Sequence, residues 1–345
     1  MKPAHFLAQR GLALIELMIA MVIGLLLIIG VGNIFLSNQH AFRASENLAG
    51  VQDNARIAFE LLSRELREAG SNPCGAQVIV NALNPSATPT IADSWATPVR
   101  GYDNAQAYTP VPFGSATGNR VANTDAIMLV SGSANNNATI VEHQVTSAQF
   151  KVSSTDHGLK AGDIVMACNN KVASIFQVTN ASSSSQTIVH NSGTGTPGNC
   201  TKGLGMRDMA ALSCTKPLAY LEDFTGGSFV AFKGGFWYIG INSRGGRSLF
   251  RYTPSDNTTE EMVDNVTDMQ IQYLTKNPAA KTMAANYVDA SSITDWSTSS
   301  TTVAVVANLN LTLETRDKID TTQSTAATVK RNMFSTVQVR ARESL

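Results

Sequence analysis

Residues 12–36 read LALIELMIAMVIGLLLIIGVGNIFL and form the longest apolar stretch of the chain. Glu16 is its one charged residue, and no Asp, Glu, Lys or Arg occurs from Leu17 to Phe42. As an α-helix rising about 1.5 Å per residue, the stretch is long enough to cross the hydrocarbon core of a membrane. Lys2 and Arg10 precede it, which predicts that its N-terminus stays in the cytoplasm and that the rest is exported.

Two ordinary interpretations of the apolar stretch fit less well. A cleaved signal peptide needs small residues in an A-x-A-like pattern after the apolar stretch, and SNQHAFRASENL (37–48) offers no good site. A plain anchor fits the hydropathy but leaves Glu16 unexplained, because a carboxylate in an apolar phase costs several kcal/mol unless it is paired or functional. Glu16 is therefore the residue that an interpretation has to explain.

The segment around Glu16 has a known counterpart. A basic leader ending in Gly11, then LALIE (12–16) and an apolar helix, resembles the class III signal of type IV pilins and related pseudopilins. The resemblance implies that a prepilin peptidase cuts between Gly11 and Leu12 and that the new amine on Leu12 is methylated. It also implies that Glu16 neutralises an N-terminal amine during filament assembly, since a nearby ammonium makes a buried carboxylate tolerable. Leu12 replaces the family's usual phenylalanine and stays apolar.

The apolar stretch is predicted to continue into an amphipathic helix over 37–70. Within SENLAGVQDNARIAFELLSRELREA (45–69), apolar residues recur at intervals of three and four, which predicts one buried stripe. The stripe consists of Leu48, Val51, Ala55, Ala58 and Leu62. A set spaced by four predicts a solvated face of alternating charge, made of Arg56, Glu60, Arg64 and Glu68. Gly70 and Pro73 predict a helix end near Ala69.

Residues 71–345 change character and predict a β-rich exported domain. Short β-branched and aromatic runs alternate with polar turns, so we expect an α+β fold, in which a long N-terminal helix packs on a β-rich globular domain. Separate strands are predicted at DAIMLVSG (125–132), TIVEHQV (139–145), SFVAF (228–232) and GFWYIGIN (235–242). Loops are predicted at 135–137, 181–186 and 278–292.

Parts of this domain are similar to the large minor pilins of the PilW family. The similar stretches are 146–180, 188–205 and the C-terminal order GFWYIGINSRGGRSLFRYT, EEMVDNVTDMQIQYLT and RNMFSTVQVRARES. The resemblance implies a type IV pilin-like fold and a non-enzymatic minor pilin that helps to initiate, assemble or cap a type IV pilus, with roles in adhesion, twitching motility or DNA uptake. A type II secretion pseudopilin and a tip adhesin or recognition module are the alternatives.

The same resemblance implies partners and a location. The partners are other major and minor pilins, contacted through the N-terminal helix, together with prepilin peptidase and the inner membrane. The domain would lie in the periplasm before assembly and at the tip of an extracellular pilus afterwards. Lys plus Arg and Asp plus Glu number 26 each, so bulk charge gives no attraction to nucleic acid, and no basic aromatic patch indicates DNA binding.

Four cysteines follow the apolar stretch and are candidates for two disulfides in an exported domain. They are Cys74, Cys168, Cys200 and Cys214. No C-x-x-C pair is present, so zinc-ligand spacing is absent. Cys168 and Cys200 bracket one module, which favours the pairs Cys168–Cys200 and Cys74–Cys214, with the other two connectivities left open.

Three further patterns receive a structural interpretation. Gly193-x-Gly195-x-x-Gly198 matches the dinucleotide fingerprint but contains Pro197 and precedes no amphipathic helix, so we expect a polar loop. Asp156-His157 reads as a turn, and His143 and His190 stand singly in strand-like runs. An aromatic stripe is predicted to be sheet core and consists of Phe224, Phe229, Phe232, Phe236, Trp237 and Tyr238.

No cofactor is expected, and calcium is the one metal considered. An acidic cluster consists of Asp256, Glu260, Glu261, Asp264 and Asp268. It lacks the D-x-D-x-D-G loop of a calcium site, and helical spacing over EEMVDNVTDM (260–269) predicts several of these residues on one exposed face.

Overall fold

The computed structural model describes residues 14–71, 73–74, 78–84, 95, 97–205, 221–297, 300–317 and 327–339. Its long helix, α1, is Leu14–Glu68, so the apolar stretch and the amphipathic segment form one continuous helix. A β-rich region follows, which gives the expected α+β layout.

The end of α1 is set by a glycine. Gly70 has a φ of 75°, a left-handed conformation that costs glycine little. Its N–H donates to the carbonyl of Val130 (2.8 Å), while the N–H of Ala69 still donates to the carbonyl of Glu65 (2.8 Å). The helix end predicted near Ala69 is confirmed.

The described β-strands form two sheets. In chain order the strands are β1 (Val78–Asn81), β2 (Val99–Tyr102), β3 (Ala126–Gln144), β4 (Gln149–Val152), β5 (Ile164–Cys168), β6 (Val172–Gln177), β7 (Thr187–Val189), β8 (Ser228–Ile241), β9 (Arg247–Thr253), β10 (Thr258–Asp264), β11 (Val266–Asn277), β12 (Thr282–Met283), β13 (Val288–Asp289), β14 (Val303–Glu314) and β15 (Lys330–Gln338).

The first sheet has ten strands and is built around β3 and β8. Its order is β1-β6-β5-β8-β3-β4-β7, with β2 on β3, β9 on β8 and β10 on β9. β3 and β8 are antiparallel, with Ala126 opposite Tyr238, whereas β1 and β6 are parallel. The aromatic stripe predicted as core is buried, and the consecutive Phe236, Trp237 and Tyr238 show that β8 is covered on both faces there.

The second sheet has five strands. Its order is β12-β11-β14-β15, with β13 also on β11. β14 alternates strictly: Leu309, Leu311 and Leu313 are buried, while Asn308 and Asn310 between them are partly exposed. One face of this sheet therefore belongs to the core, and the other is polar.

The chain divides into two compact units, Met1–Asp53 with Thr315–Lys330, and Asn54–Glu314 with Arg331–Leu345. In the first unit, Asn47 Nδ2 donates to Asp317 Oδ2 (3.2 Å), and the N–H of Asp317 donates back to Asn47 Oδ1 (3.4 Å). These two hydrogen bonds hold the segment after β14 to α1.

In the second unit, the last four turns of α1 form the spine of the domain. Ala55, Ala58 and Leu62 of the predicted stripe are buried, and Leu66 and Ala69 continue it. Burying a leucine contributes about 1.5–3 kcal/mol. The predicted charged face, Arg56, Glu60, Arg64 and Glu68, is exposed. The amphipathic pattern is therefore confirmed.

Glu65 is a polar contact inside this apolar interface. Trp237 Nε1 donates to Glu65 Oε2 (2.6 Å), and Arg251 Nε lies 3.0 Å from Glu65 Oε1 as an ion pair, without the alignment of a hydrogen bond. Desolvation by burial raises the pKa of Glu65, against the lowering effect of Trp237 and Arg251. A Cβ on Gly235 would lie 2.7 Å from Arg251 Nε and 3.0 Å from Glu65 Oε2, so this contact needs a glycine beneath it.

The structure corrects three predictions about strands. The strands predicted at 125–132 and 139–145 are parts of one strand, β3 (Ala126–Gln144). The predicted loop at 135–137 belongs to its backbone, where pairing with β8 shifts register between Asn135 and Thr139. The two strands predicted over 228–242 are likewise one, β8. Acidic residues predicted on a helical face lie in β10 and β11. Local turn-forming composition was outweighed by pairing with long neighbouring strands.

Replacing Glu65 by alanine is expected to destabilise the second unit by about 2 kcal/mol. The change leaves the Trp237 N–H without its acceptor and Arg251 without its counter-charge in a largely buried place. Urea unfolding of the full chain in detergent, followed by Trp fluorescence, measures the loss.

The matched control is Glu60→Ala, an exposed glutamate on the same helix, with an expected effect within about 0.5 kcal/mol. Equal losses in the two variants would contradict the role given to Glu65.

Candidate functional site

The apolar half of α1 is a candidate membrane anchor. It contains an 18-residue window that is apolar enough to cross a membrane, and none of that window is buried by the protein. Its large side chains are about half exposed or more, for example Leu17 (49%), Ile23 (53%) and Ile28 (69%). A surface of this kind is stable only when lipid or other apolar helices cover it.

Glu16 lies in the first turn of α1, next to this apolar surface. A carboxylate near a helix N-terminus is favoured by the helix dipole, which reduces its cost in an apolar setting without removing it. The side chain is exposed in the isolated chain. The predicted cleavage pair, Gly11 and Leu12, falls outside the described residues.

The disulfide pairing differs from the prediction. Cys74 is bonded to Cys168, so the predicted pairs Cys168–Cys200 and Cys74–Cys214 are wrong. Cys74 follows the end of α1, and Cys168 ends β5 in the interior of the first sheet, which brings two positions 94 residues apart in sequence within reach. Sequence spacing carries no record of this juxtaposition. The bond links the segment after the spine helix to the sheet and stabilises the domain by about 4.7 kcal/mol in the chain-entropy relation.

Cys200 is also disulfide-bonded. Its N–H donates to the carbonyl of Ala82 (2.8 Å), which places it beside the end of β1. Cys214 lies outside the described residues. Disulfides are typical of exported domains, because the cytosol keeps thiols reduced.

His143 and His190, which stand singly in the sequence, meet in the core. Their Nε2 atoms are 3.1 Å apart, and Phe150 stacks on His143 with ring centroids 4.2 Å apart. The N–H of Phe224 donates to His143 Nδ1 (3.3 Å), so a neutral His143 carries its proton on Nε2 and donates it to His190. Burial lowers the pKa of His143 to about 4 and the pKa of His190 to about 3, and Asp223 opposes the shift of His143. The pair is a neutral hydrogen bond inside an aromatic cage.

The other patterns that suggest chemistry are occupied by structural contacts. The ring of His157 is buried, and its Nδ1 accepts the N–H of Leu159 (3.1 Å). The side chain of Gln177 in β6 holds the glycine-rich loop. Its Oε1 accepts a hydrogen bond from the N–H of Gly198 (2.8 Å), and its Nε2 donates to the carbonyl of Thr196 (2.9 Å). The described residues after the loop, 199–205, form no helix. Without a helix N-terminus after it, the loop lacks a main part of a phosphate cradle.

Arg244 lies in the middle of the acidic cluster. Its Nη2 is 2.6 Å from Glu261 Oε1 and 2.9 Å from Asp264 Oδ1. Ser248 Oγ also donates to Glu261 Oε1 (2.8 Å). A guanidinium therefore already pairs with two of the five carboxylates of the cluster. Over the described parts of the chain, no group of three or more His, Cys, Asp and Glu side chains is arranged to hold a metal.

Arg120 is a buried charge that no pattern in the sequence indicates. Its guanidinium is fully buried, donates to the carbonyls of Tyr102, Asp103, Gln106 and Thr124, and lies 4.8 Å from the ring centroid of Phe113. Desolvation lowers the pKa of Arg120 to about 10, so it stays charged at neutral pH. The segment around it has no periodicity that could have signalled a buried cation.

Asp125, close to Arg120, joins the two sheets. Its Oδ2 accepts the N–H of Ile271 in β11 (2.8 Å), and its own N–H donates to the carbonyl of Met269 (2.8 Å). Burial raises the pKa of Asp125 to about 6. Two backbone-directed hydrogen bonds thus fix β11 against the start of β3.

The His143–His190 pair predicts acid sensitivity of the domain. Histidines in the unfolded chain have a pKa of about 6.5. Between about pH 6.5 and 4, the unfolded chain therefore binds protons at these two residues, whereas the folded chain does not. The free energy of unfolding falls as the pH falls, by about 1.4 kcal/mol per pH unit for each buried imidazole. In His190→Gln, a carboxamide oxygen accepts from His143 without titrating, so the slope is expected to decrease by the contribution of one imidazole, about 1.4 kcal/mol per pH unit.

The slope is measured by urea unfolding of the full chain between pH 7 and 4.5. His40→Gln, a change at an exposed histidine of α1, is the control and should leave the slope unchanged. A wild-type slope retained in His190→Gln would contradict the assignment.

We found no known protein that is similar to this chain. No protein-family model, no curated protein and no solved structure matches the chain. The α+β layout, the apolar helix and the Cys74–Cys168 disulfide are therefore known from the chain's own residues and contacts.

Proposed function

We propose that this chain is a non-enzymatic subunit of a type IV pilus, a minor pilin processed by prepilin peptidase. The observation that carries the proposal is Glu16, the one charged residue of the apolar stretch, at the start of a helix whose apolar window is not buried by the protein. The leader ending in Gly11 and the helix leading into an exported domain agree with it.

The physical argument concerns what can cover the apolar stem. In the membrane, lipid covers it; in a filament, the stems of neighbouring subunits would do so. A carboxylate buried among such stems needs a positive partner, and cleavage before Leu12 creates an amine four residues before Glu16. The amine of one subunit and the Glu16 of another would then set the register between subunits.

The exported domain is suited to work outside the cytoplasm. Cys74 and Cys168 are bonded, and Cys200 is bonded as well, which fits an oxidising compartment. A domain of this size is large beside a slender stem, which favours a tip position where few copies fit. Initiating or capping the pilus is therefore the proposed role.

The runner-up is a type II secretion pseudopilin, which would use the same N-terminal signal. Calcium bound at the acidic cluster would favour this alternative, but there Arg244 pairs with Glu261 and Asp264. We therefore place the pilus first and keep secretion as an outcome of the test.

The test is mass spectrometry of the chain in sheared surface filaments, with a pilus count, in wild-type and Glu16→Ala cells. The expected wild-type chain begins at methylated Leu12. Glu16→Ala should lower incorporation at least about tenfold, because removing one partner of a buried pair leaves the other charge uncompensated. The matched control is Glu46→Ala, an exposed carboxylate on the same helix outside the apolar stretch.

Three results would count against the proposal. Retention of residues 1–11 together with a silent Glu16→Ala would make the chain a plain anchored protein. Loss of secretion with normal pili would assign it to the secretion system. Equal losses in Glu16→Ala and Glu46→Ala would remove the special role of Glu16.

A further inference from the structure

The second sheet turns a polar face to the outside of its unit, and this face has an unusual composition. Gln270 of β11 lies opposite Asn310 of β14, and Gln272 lies opposite Asn308. We define the amide face as Gln270, Gln272, Asn308, Asn310, Thr312, Asn332, Phe334 and Thr336. Carboxamides dominate this surface, and Phe334 is its one aromatic residue.

Two hydrogen bonds fix β15 on this face. Thr312 Oγ1 donates to Asn332 Oδ1 (3.0 Å), and Thr336 Oγ1 donates to Asn308 Oδ1 (3.4 Å). Because strand residues alternate with a period of two, Phe334 lies between these pairs and beside Asn310. Its side chain is 67% exposed, the most exposed large apolar side chain of the second sheet. The ring is thus presented in the middle of the amide face.

The bonds within the face leave a defined set of unused groups. Asn308 and Asn332 accept through their oxygens, which leaves their NH2 groups as donors. Gln270 donates to Asp268 (2.9 Å) and Gln272 donates to Asp289 (3.2 Å), which leaves their oxygens as acceptors. Around Phe334, donors therefore lie towards β15 and acceptors towards β11, in side chains already held in place.

Asn310 also has a side-chain acceptor without a hydrogen-bond donor. Its Oδ1 is shielded from solvent and accepts no hydrogen bond within the protein. A buried acceptor without a donor costs about 1–3 kcal/mol. A rotation of the Asn310 side chain towards Phe334 would bring this oxygen within reach of a ligand hydroxyl, and the new hydrogen bond would remove that cost.

The charged residues beside the amide face limit the class of ligand that it can bind. None of the eight residues that define the amide face is charged, and the carboxylates at its margin, Asp268 and Asp289, are engaged by the two glutamines. Lys330, two positions before Asn332, is the nearest cation on the same side of β15. Phosphate, sulfate and nucleic acid need several cations around them, which one lysine at the end of β15 does not supply. A protein partner would need a larger apolar centre than one phenylalanine among amides.

We propose that the amide face binds a neutral oligosaccharide. A pyranose ring has an apolar C–H face that can stack on Phe334, and its hydroxyl groups both donate and accept, which matches the NH2 groups of Asn308 and Asn332 and the oxygens of Gln270 and Gln272. The proposal goes beyond the pilus assignment and does not depend on it.

The experiment uses the full chain in a zwitterionic detergent, since glycoside detergents would compete. Cellohexaose, maltohexaose and chitohexaose are each tested by saturation-transfer NMR and then by calorimetric titration. At least one is expected to receive saturation on its C–H protons. Phe334→Ala should weaken binding about tenfold, which is about 1.4 kcal/mol.

Two further variants separate the face from general effects. Asn332→Asp keeps the acceptor for Thr312 but removes a free donor, and should also weaken binding. Val141→Ala, at an exposed apolar residue of the first sheet (57%), should bind as wild type.

Each contrary result overturns the proposal. The first is that none of the three sugars binds. The second is binding that survives Phe334→Ala unchanged, which would place any sugar elsewhere. The third is a change of oligomeric state in Phe334→Ala without sugar binding, which would make the face a contact between copies of this chain. None of these results bears on the N-terminal processing that tests the pilus assignment.

Discussion

The packing of α1 against the first sheet is the interaction that organises the β-rich domain. Glu65 brings a carboxylate into an apolar interface, where Trp237 and Arg251 meet it and Gly235 leaves room for it. Alanines and leucines on the same stripe supply most of the burial. Apolar contacts alone permit the helix to slide or rotate, whereas a directed polar contact fixes one position. The Cys74–Cys168 bond then holds the end of the helix to β5.

One helix in this chain faces two different environments. Its second half keeps polar residues on the solvent side and small or aliphatic residues on the sheet side. Its first half is apolar all round and receives no cover from the protein. The first half therefore needs apolar cover from outside the chain, either lipid or neighbouring stems. The second half positions the domain. The proposed role in a filament follows from this division, with Glu16 at the end that a partner would cover.

The core of the domain contains more polar chemistry than its sequence suggests. Arg120 is buried among carbonyl groups, Asp125 joins β3 to β11, and His143 donates to His190 inside a ring of phenylalanines. Each lies in a segment without a recognisable motif, so their partners depend on elements distant in sequence. The acidic cluster is the opposite case, because a visible pattern of carboxylates proved to surround the guanidinium of Arg244. Neither outcome can be calculated from spacing along the chain.

By itself, the sequence determined the layout of this protein: the apolar helix, the buried stripe ending at Gly70, the solvated face beside it and the β-rich remainder. These features follow from period, composition and local conformational preference, all of which are properties of neighbouring residues. Only the tertiary structure decided that 135–137 continues β3, that Cys74 pairs with Cys168, and that Phe334 stands among amides. The physical reason is that strand pairing, disulfide geometry and side-chain surroundings are set by residues far apart in sequence, which composition and periodicity do not relate.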